Sequence, residues 1–396
     1  MIPPEPRIAS RPGGRPNGGI AGVTPAPVRT TQPEPRFIVT KKPEPLPLIG
    51  VTMGDPAGIG PEVVVKAIQS GEWLKDCRPV VIGGREIMEE ACKRFVYPMK
   101  VRPISIDDAP PEFDPSVLYL VEALGADLKR VVPGSHSGTT GRSAGAAVRL
   151  AAKLAMDGKV RAITTAPISK EAFLDLGIAF AGHTEYLAHI CEVKRSMPMF
   201  ISPRLRVTLT TTHIALARVP RAISKTRVLD AIELTQIAMR KFFARLRPCL
   251  AVAGLNPHCG EAGHLGTEDR DRITPAVEAA RKQGIDVRGP LSGDSVFERA
   301  VSEEFDAVIA MYHDQGLAPV RAVGRGKVVS LTLGIPFIRT SVEHGTAPSI
   351  AWKGVANADS MRAAIRTAAR MAGRLGPGRI DWTLPSDETG GSRRRS

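Results

Sequence analysis

Four of the chain's eight histidines sit in short turns of glycine, proline and acidic residues: Gly182-His183-Thr184-Glu185, Thr211-Thr212-His213, Asn256-Pro257-His258-Cys259-Gly260-Glu261 and Tyr312-His313-Asp314-Gln315-Gly316. Neutral imidazole is the commonest protein ligand for a divalent metal, and its protonation changes near neutral pH. His213, His258 and His313 each come just past a run that reads as a strand, at 206–211, 249–255 and 307–310. In parallel α/β sheets, ligands bind at the carboxyl ends of strands. A single histidine so placed more often packs in a core or caps an element. Three at the same topological position point to a shared ion with coordination positions left open for substrate, the pattern of a catalytic metal. Asp314, beside His313, has three open roles: orienting an imidazole, adding a ligand, or capping a helix.

The other polar candidates divide between binding and structure. His183 and Thr184 precede an apolar helical stretch. Thr184 is either its N-cap or, with His183, a contact to a substrate hydroxyl or phosphate. Arg321, Arg325, Lys327 and Arg339 follow the His313 turn. Arg339 comes directly after Pro336-Phe337-Ile338, which places it near the core. A guanidinium there needs an anion, either a bound ligand or a structural carboxylate. The run Gly54-Asp55-Pro56-Ala57-Gly58-Ile59-Gly60-Pro61-Glu62 closes a strand and opens a helix. Its glycines permit a ligand at a helix N-terminus, or a tight strand–helix turn. It is neither a GxGxxG fingerprint nor a P-loop. The turn at 343–348 says little by itself. His136, His189 and His264 read as surface or packing residues.

These residues need elements to hold them. Short Val/Ile runs read as strands at 46–53, 79–82, 117–121, 162–165, 206–211, 249–255, 307–310 and 328–332. Periodic, Ala-rich segments read as helices at 61–69, 141–156, 224–245, 274–283 and 360–373. The alternation predicts an α/β fold with a mainly parallel sheet and flanking helices. The body has no internal repeat and no long linker, which predicts two closely joined domains, 47–140 with 300–384, and 141–299. Residues 1–46, rich in Pro and Arg, read as a disordered extension, and 385–396 as a second disordered tail.

Composition narrows the classes. A chain of 396 residues with 43% hydrophobic content supports a substantial core. No apolar run is long enough to span a bilayer, and the N-terminus lacks a basic patch followed by an apolar stretch. Five scattered cysteines without a CxxC pair predict reduced thiols in a cytoplasmic protein. The net charge of +14 raises the question of nucleic acid. The tails carry part of it: seven Lys/Arg against three acids over 1–48, and three Arg against two acids over 385–396. No aromatic-studded basic stripe or helix-turn-helix pattern stands out. Pockets for an anionic metabolite explain local Arg and Lys equally well.

Taken together, the motifs resemble the 4-hydroxythreonine-4-phosphate dehydrogenase family of vitamin B6 synthesis, over about residues 47–375. The segments that carry the resemblance are GDPAGIGPEV, TTAPISK, FAGHTEYLA, TTHIAL, GLNPHCGEAGHLGTED, GPLSGDSVF, MYHDQGLAPV and GIPFIRTSVEHGTA. Any one alone is weak, but eight in the same order are specific. The resemblance implies a two-domain fold like that of isocitrate and isopropylmalate dehydrogenases. It implies a homodimer with active sites near the subunit interface, the 141–299 domain carrying part of the metal site and of that interface. It implies NAD, with NADP open, and a divalent metal such as Zn, Mg or Co. His213, His258 and His313 are then the metal ligands. His183, Thr184, Arg321, Ser330 and Arg339 bind substrate. Gly54, Gly58 and Gly60 lie near the nicotinamide, and His344 and Gly345 near the adenosine end.

The implied reaction is oxidation of 4-hydroxythreonine-4-phosphate at its C3 hydroxyl, followed by decarboxylation to 3-amino-2-oxopropyl phosphate, in pyridoxal phosphate biosynthesis. Asp294, Asp314 or a metal-bound water takes the proton, and Lys170 is a further site cation. The family usually has Lys where this chain has Arg321, and Asn where it has Ser330. Arg321 keeps the charge but cannot shuttle a proton, and Ser330 is shorter. The same chemistry on 4-phospho-threonate or 4-phospho-erythronate is therefore an alternative. A reading of another class is a non-catalytic metal- and nucleotide-binding protein whose basic tails bind nucleic acid.

Overall fold

The computed structural model describes residues 45–384, apart from 97, 111, 124–126, 128–129 and 175–181. The expected disordered tails, to residue 44 and from 385, lie outside the described residues. Twelve strands form one sheet: β1 (Leu48–Thr52), β2 (Arg78–Gly83), β3 (Lys100–Pro103), β4 (Val117–Glu122), β5 (Ala162–Thr165), β6 (Met197–Ile201), β7 (Arg206–Leu209), β8 (Leu250–Ala253), β9 (Val287–Leu291), β10 (Ala307–Ala310), β11 (Val329–Leu333) and β12 (Ile338–Ser341). Their order is β3-β4-β2-β1-β5-β12-β11-β6-β7-β10-β8-β9. The antiparallel pairs are β12–β11, β11–β6 and β6–β7, and all the others are parallel. This is the mainly parallel α/β sheet that the alternating runs predict. The sheet is continuous across residues 140 and 299, with β5 between β1 and β12, and β10 between β7 and β8.

The inner strands read LIGVT, LAVA and AVIA and are buried almost throughout. Strands covered on both faces need no polar alternation, which is why they appear in the sequence as plain apolar runs. The helices are α1 (Gly60–Gln69), α2 (Arg85–Phe95), α3 (Gly138–Met156), α4 (Lys170–Leu174), α5 (His183–Ile190), α6 (Val219–Ala222), α7 (Lys225–Phe243), α8 (Thr274–Lys282), α9 (Val296–Val301), α10 (His313–Gly324) and α11 (Asp359–Arg374). Local chemistry sets their starts. Pro61 opens α1, where its missing N–H costs nothing. Ser137 and Thr140 form a reciprocal capping box at α3. Ser224 Oγ accepts from Arg227 N to cap α7.

Strands β3, β6, β9 and β12 go beyond the sequence reading. β6 contains Pro198, and β12 reads Ile-Arg-Thr-Ser, so neither looks like an apolar run. Helix α10 was hidden by Gly316 and Pro319, both helix breakers by composition. Gly316 has a packing reason: a Cβ there would come within 2.4 Å of Leu209 Cδ2, so glycine lets α10 lie close on β7. The core has two clusters. The larger runs from Ile49 and Val51 through α3, α7 and α11, and the smaller packs Val207, Ala251 and Val308 under Leu317 and Val320. No helix among the described residues is long and apolar enough to cross a membrane.

Candidate active site

Strands β7, β10 and β8 are adjacent and parallel, and the chain leaves them into the turns that hold His213, His313 and His258. The topological position expected for the three histidines is thus the observed one. A cleft of about 250 Å3 opens here. It gathers His183, Thr184, His213, His313, Arg321, Ser330, Arg339, His344 and Gly345 from the sequence-derived candidates, and Lys170 with them. His258, Asp294, Gly54, Gly58 and Gly60 are not in its lining.

Arg339 is the cleft's buried cation, 3% exposed. Nε and Nη2 donate to Thr165 Oγ1 at 3.1 and 2.6 Å, and Nη1 donates to Thr332 Oγ1 at 3.0 Å. Three hydrogen bonds to neutral hydroxyls satisfy donors but not charge. Burial pushes the guanidinium down to about 9, opposed by the more distant Glu185 carboxylate. A buried charge without an ion-pair partner is costly unless a ligand completes it. His183, at the first position of α5, lies alongside. Its Nε2 is buried without a hydrogen-bond partner. Burial, then the Arg339 charge, holds its pKa well below the usual imidazole value, so the ring is neutral. At the rim, Arg321 Nε sits 2.9 Å from Glu343 Oε2. This pairs the residue that stands where the family usually has Lys. Ser330 is 8% exposed, and in register it faces Ser341 across β11–β12.

The His213 and His313 rings stand with centroids 5.7 Å apart. His313 Nδ1 is 2.7 Å from Asp314 Oδ1, which fixes the ring and leaves Nε2 for a ligand. Burial, then Lys170, holds His213 below its usual pKa. Near pH 7 that favours the neutral imidazole that metals need. The donor set therefore fits a divalent ion in kind. Within the chain it is two imidazoles, for among the described residues no group of three His, Cys, Asp or Glu side chains is placed to hold a metal. His258 lies instead on an exposed turn after β8, close enough to Asp294 for its charge to lower that carboxyl's pKa behind the larger effect of Ser292. Asp269, itself buried, clasps the base of that turn by accepting from Leu255 N, Asn256 N and Asn256 Nδ2. Asp314 is 88% exposed, in keeping with an orienting role.

A family model described as "Pyridoxal phosphate biosynthetic protein PdxA" matches residues 75–368. The chain belongs to the PdxA family. Among its curated relatives is a 4-hydroxythreonine-4-phosphate dehydrogenase of Trichlorobacter lovleyi, 42% identical over 330 residues, which are 83% of this chain and 98% of that one. A D-threonate 4-phosphate dehydrogenase of Cupriavidus necator is also 42% identical, over 83% of this chain and 98% of its own. A crystal structure of 4-hydroxythreonine-4-phosphate dehydrogenase from Klebsiella pneumoniae superposes with a TM-score of 0.75 at 37% identity, covering 82% of this chain and 99% of that one. The fold is that of the PdxA enzymes, and the chain is a PdxA-type oxidoreductase.

Against this PdxA frame the glycine turn can be placed. A Cβ on Gly54 would come within 2.6 Å of Pro167 O, and one on Gly60 within 2.4 Å of Met53 O. One on Gly58 would meet Thr346 Cβ at 2.8 Å. Protein atoms already fill the space these glycines leave, so close packing accounts for them. At Gly345 the same test finds open space, and the neighbouring His344 has a buried Nε2 with no partner. Those two residues are free to meet a cofactor.

From the sequence, His136 reads as a surface or packing residue. Its Nε2 instead lies 2.9 Å from Thr346 Oγ1, and its Nδ1 lies 3.2 Å from the buried Asp55. It joins the glycine turn to the 343–348 turn. Gln315 was also missed. Its Nε2 donates to Gly254 O, and its Oε1 accepts from Met311 N, so it ties the His313 helix to the loop before His258. A polar residue one turn into a helix gave no sequence signal for either bond.

Proposed function

We propose that this PdxA-type dehydrogenase oxidises 4-hydroxythreonine-4-phosphate at its C3 hydroxyl with NAD, and that the resulting β-keto acid loses its carboxylate as carbon dioxide to give 3-amino-2-oxopropyl phosphate. The observation that carries the reading is Arg339, a buried guanidinium with no carboxylate partner among the described residues, beside His183, whose Nε2 has no hydrogen-bond partner among them. Such a pair suits a phosphate, two of whose oxygens a planar guanidinium meets with two parallel hydrogen bonds. Arg339 binds that phosphate, and His183 and Thr184 fix its orientation.

His213 and His313 would hold a divalent ion, with His258 of a second copy completing the set. Three things support a shared site: the chain offers two imidazoles at one place, His258 is exposed on the neighbouring strand end, and Ile214, Leu216 and Leu265 are exposed apolar residues flanking these turns in the chain. A closed two-fold dimer would cover them and bring His258 across. When bound, the ion supplies Lewis-acid polarisation of the hydroxyl and stabilises charge on its oxygen. Asp314 orients His313, and Asp294 of the second copy, beside its His258, would take the hydroxyl proton. His344 and Gly345 would meet the NAD, which takes the hydride.

A second substrate class has its own support. Arg321 is held by Glu343 at the rim, Ser330 presents one short hydroxyl, and a relative at 42% identity is a D-threonate 4-phosphate dehydrogenase. The deciding assay follows NADH formation by the purified protein with a divalent metal on each of the two substrates. Turnover of the amino acid that needs both the metal and His258 supports the main reading. Turnover confined to the 2-hydroxy acid replaces it, and NADH formation that persists without any metal sinks the shared-ion scheme.

A further inference from the structure

We propose that the chain carries a second anion site, for a small molecule bearing two or more phosphate groups, in a groove of about 850 Å3 between α11, the end of α7 and the β6–β7 turn. The groove is larger than the catalytic cleft and lies in the size range of small-molecule sites. Helix α11 presents Arg362, Arg366, Arg370 and Arg374 at four-residue spacing, which places them on one face. Like charges at that spacing repel, so the stripe destabilises the helix unless anions meet it. Carboxylates meet its first half alone. Arg366 Nη1 is 2.9 Å from Glu72 Oε2, and Arg362 pairs with Glu72 and Asp359.

The second half is unmet. Arg370 makes no hydrogen bond or ion pair among the described residues. Among the described residues, Arg374 reaches the Phe242 carbonyl at 3.3 Å and no carboxylate. From the facing wall, Arg206 of β7 lies over the Phe243 ring at 4.7 Å. Its Nη1 donates to Asp306 O at 3.3 Å, and its buried Nε makes no hydrogen bond among the described residues. Several guanidiniums around one groove, two of them without a carboxylate among the described residues, suit an anion. Arg370 and Arg374 stand about 6 Å apart along the helix axis, the span of two linked phosphates rather than one.

This groove is distinct from the catalytic cleft. Side chains alternate along a strand. Phe200 of β6 and Ser330 of β11 face the cleft, whereas their neighbours Ile201 and Val329 face the groove. An occupant would tie α11 to β7 across the reverse face of the strands that floor the catalytic site.

The test titrates the full-length protein with inorganic pyrophosphate at constant ionic strength, by calorimetry and thermal melting. Arg370 and Arg374 are both exposed, so the Arg370→Gln/Arg374→Gln double variant should keep its fold, checked by circular dichroism. Wild type is expected to bind, and the double variant to bind at least about tenfold more weakly, as befits loss of charged hydrogen-bond donors. Arg206→Gln, on the opposite wall, should weaken binding independently. Arg339→Met, which alters the catalytic cleft, should retain the groove's affinity. The proposal is overturned if both groove variants bind pyrophosphate as wild type does. It is overturned too if sodium chloride at equal ionic strength reproduces the melting shift, since the arginine stripe is then merely screened.

Discussion

His213 and His313 face each other with ring centroids 5.7 Å apart, each delivered by the turn after one of two neighbouring strands. Two imidazoles make half of a tetrahedral set. The third histidine leaves the next strand along, yet its turn carries it outward. The proposed metal centre, completed across a two-fold axis, rests on that arrangement.

Subunit mixing tests this directly. His213→Ala and His258→Ala should each be inactive alone. After mixing and subunit exchange, a heterodimer has one site lacking both residues and one site intact. Activity should return to roughly a quarter of the wild-type rate at equal mixing, the statistical share for a symmetric dimer. If the mixture stays inactive although exchange is shown by mass spectrometry, the ligands belong to one chain.

Asp314→Asn should preserve the fold, since the carboxylate is exposed. It removes the group that holds His313 Nδ1, so the ring loses its fixed orientation. Metal affinity should fall about 10- to 100-fold, with activity recovered at high metal concentration. Direct metal titration reads this, and unchanged affinity would assign Asp314 to helix capping.

Arg339 gives a basic pH limit. Burial pushes its guanidinium down to about 9. The protonated form binds the anion, so binding is complete below that pH and is lost as pH rises through it. A phosphate monoester is already a dianion there, its second pKa being near 6, so the substrate adds no titration of its own. KM should climb above about pH 9 in wild type. Arg339→Met should have a high KM that barely changes with pH, and no lower melting temperature in the ligand-free state, because the costly unpaired charge is gone. A KM that is flat with pH in wild type would contradict the assignment.

His183 acts at the acid end. Its folded pKa is depressed from 6.5, so the unfolded chain binds the proton first. The stability tied to this group is therefore full above 6.5 and declines as pH falls, by up to about 1.4 kcal/mol per pH unit. His183→Asn should lose less melting temperature than wild type between about pH 7.5 and 5.5. Equal losses would mean that the ring titrates alike in both states.

Much of this is legible in the sequence. Val/Ile runs marked β1, β5, β8 and β10 because strands buried on both faces carry no polar alternation to confuse the pattern. The strand-end position of three histidines could be read for the same reason. β12 could not, because its Arg339, Thr340 and Ser341 look like a polar loop. They are buried there only because Thr165 and Ser341 pair their hydroxyls across β5–β12 and Arg339 donates to Thr165. The displacement of His258 was invisible as well, since it depends on a run of backbone angles that composition does not specify. The arginine spacing on α11 was present in the sequence, but what faces it is a matter of tertiary packing.

That run of angles narrows which sequences can serve here. His258, Cys259, Gly260, Glu261 and Ala262 all have positive φ, from 41° to 82°, and four of them carry a Cβ. Each such residue costs on the order of 1 kcal/mol. Isoleucine, valine or threonine at 259, 261 or 262 would cost more, and proline is barred by its fixed negative φ. Glycine or asparagine would relieve the turn but loosen the direction in which His258 is held. Drift at these positions is thus confined between rigidity that strains the loop and freedom that loosens the histidine, a narrower corridor than burial alone would set for a turn so exposed to solvent.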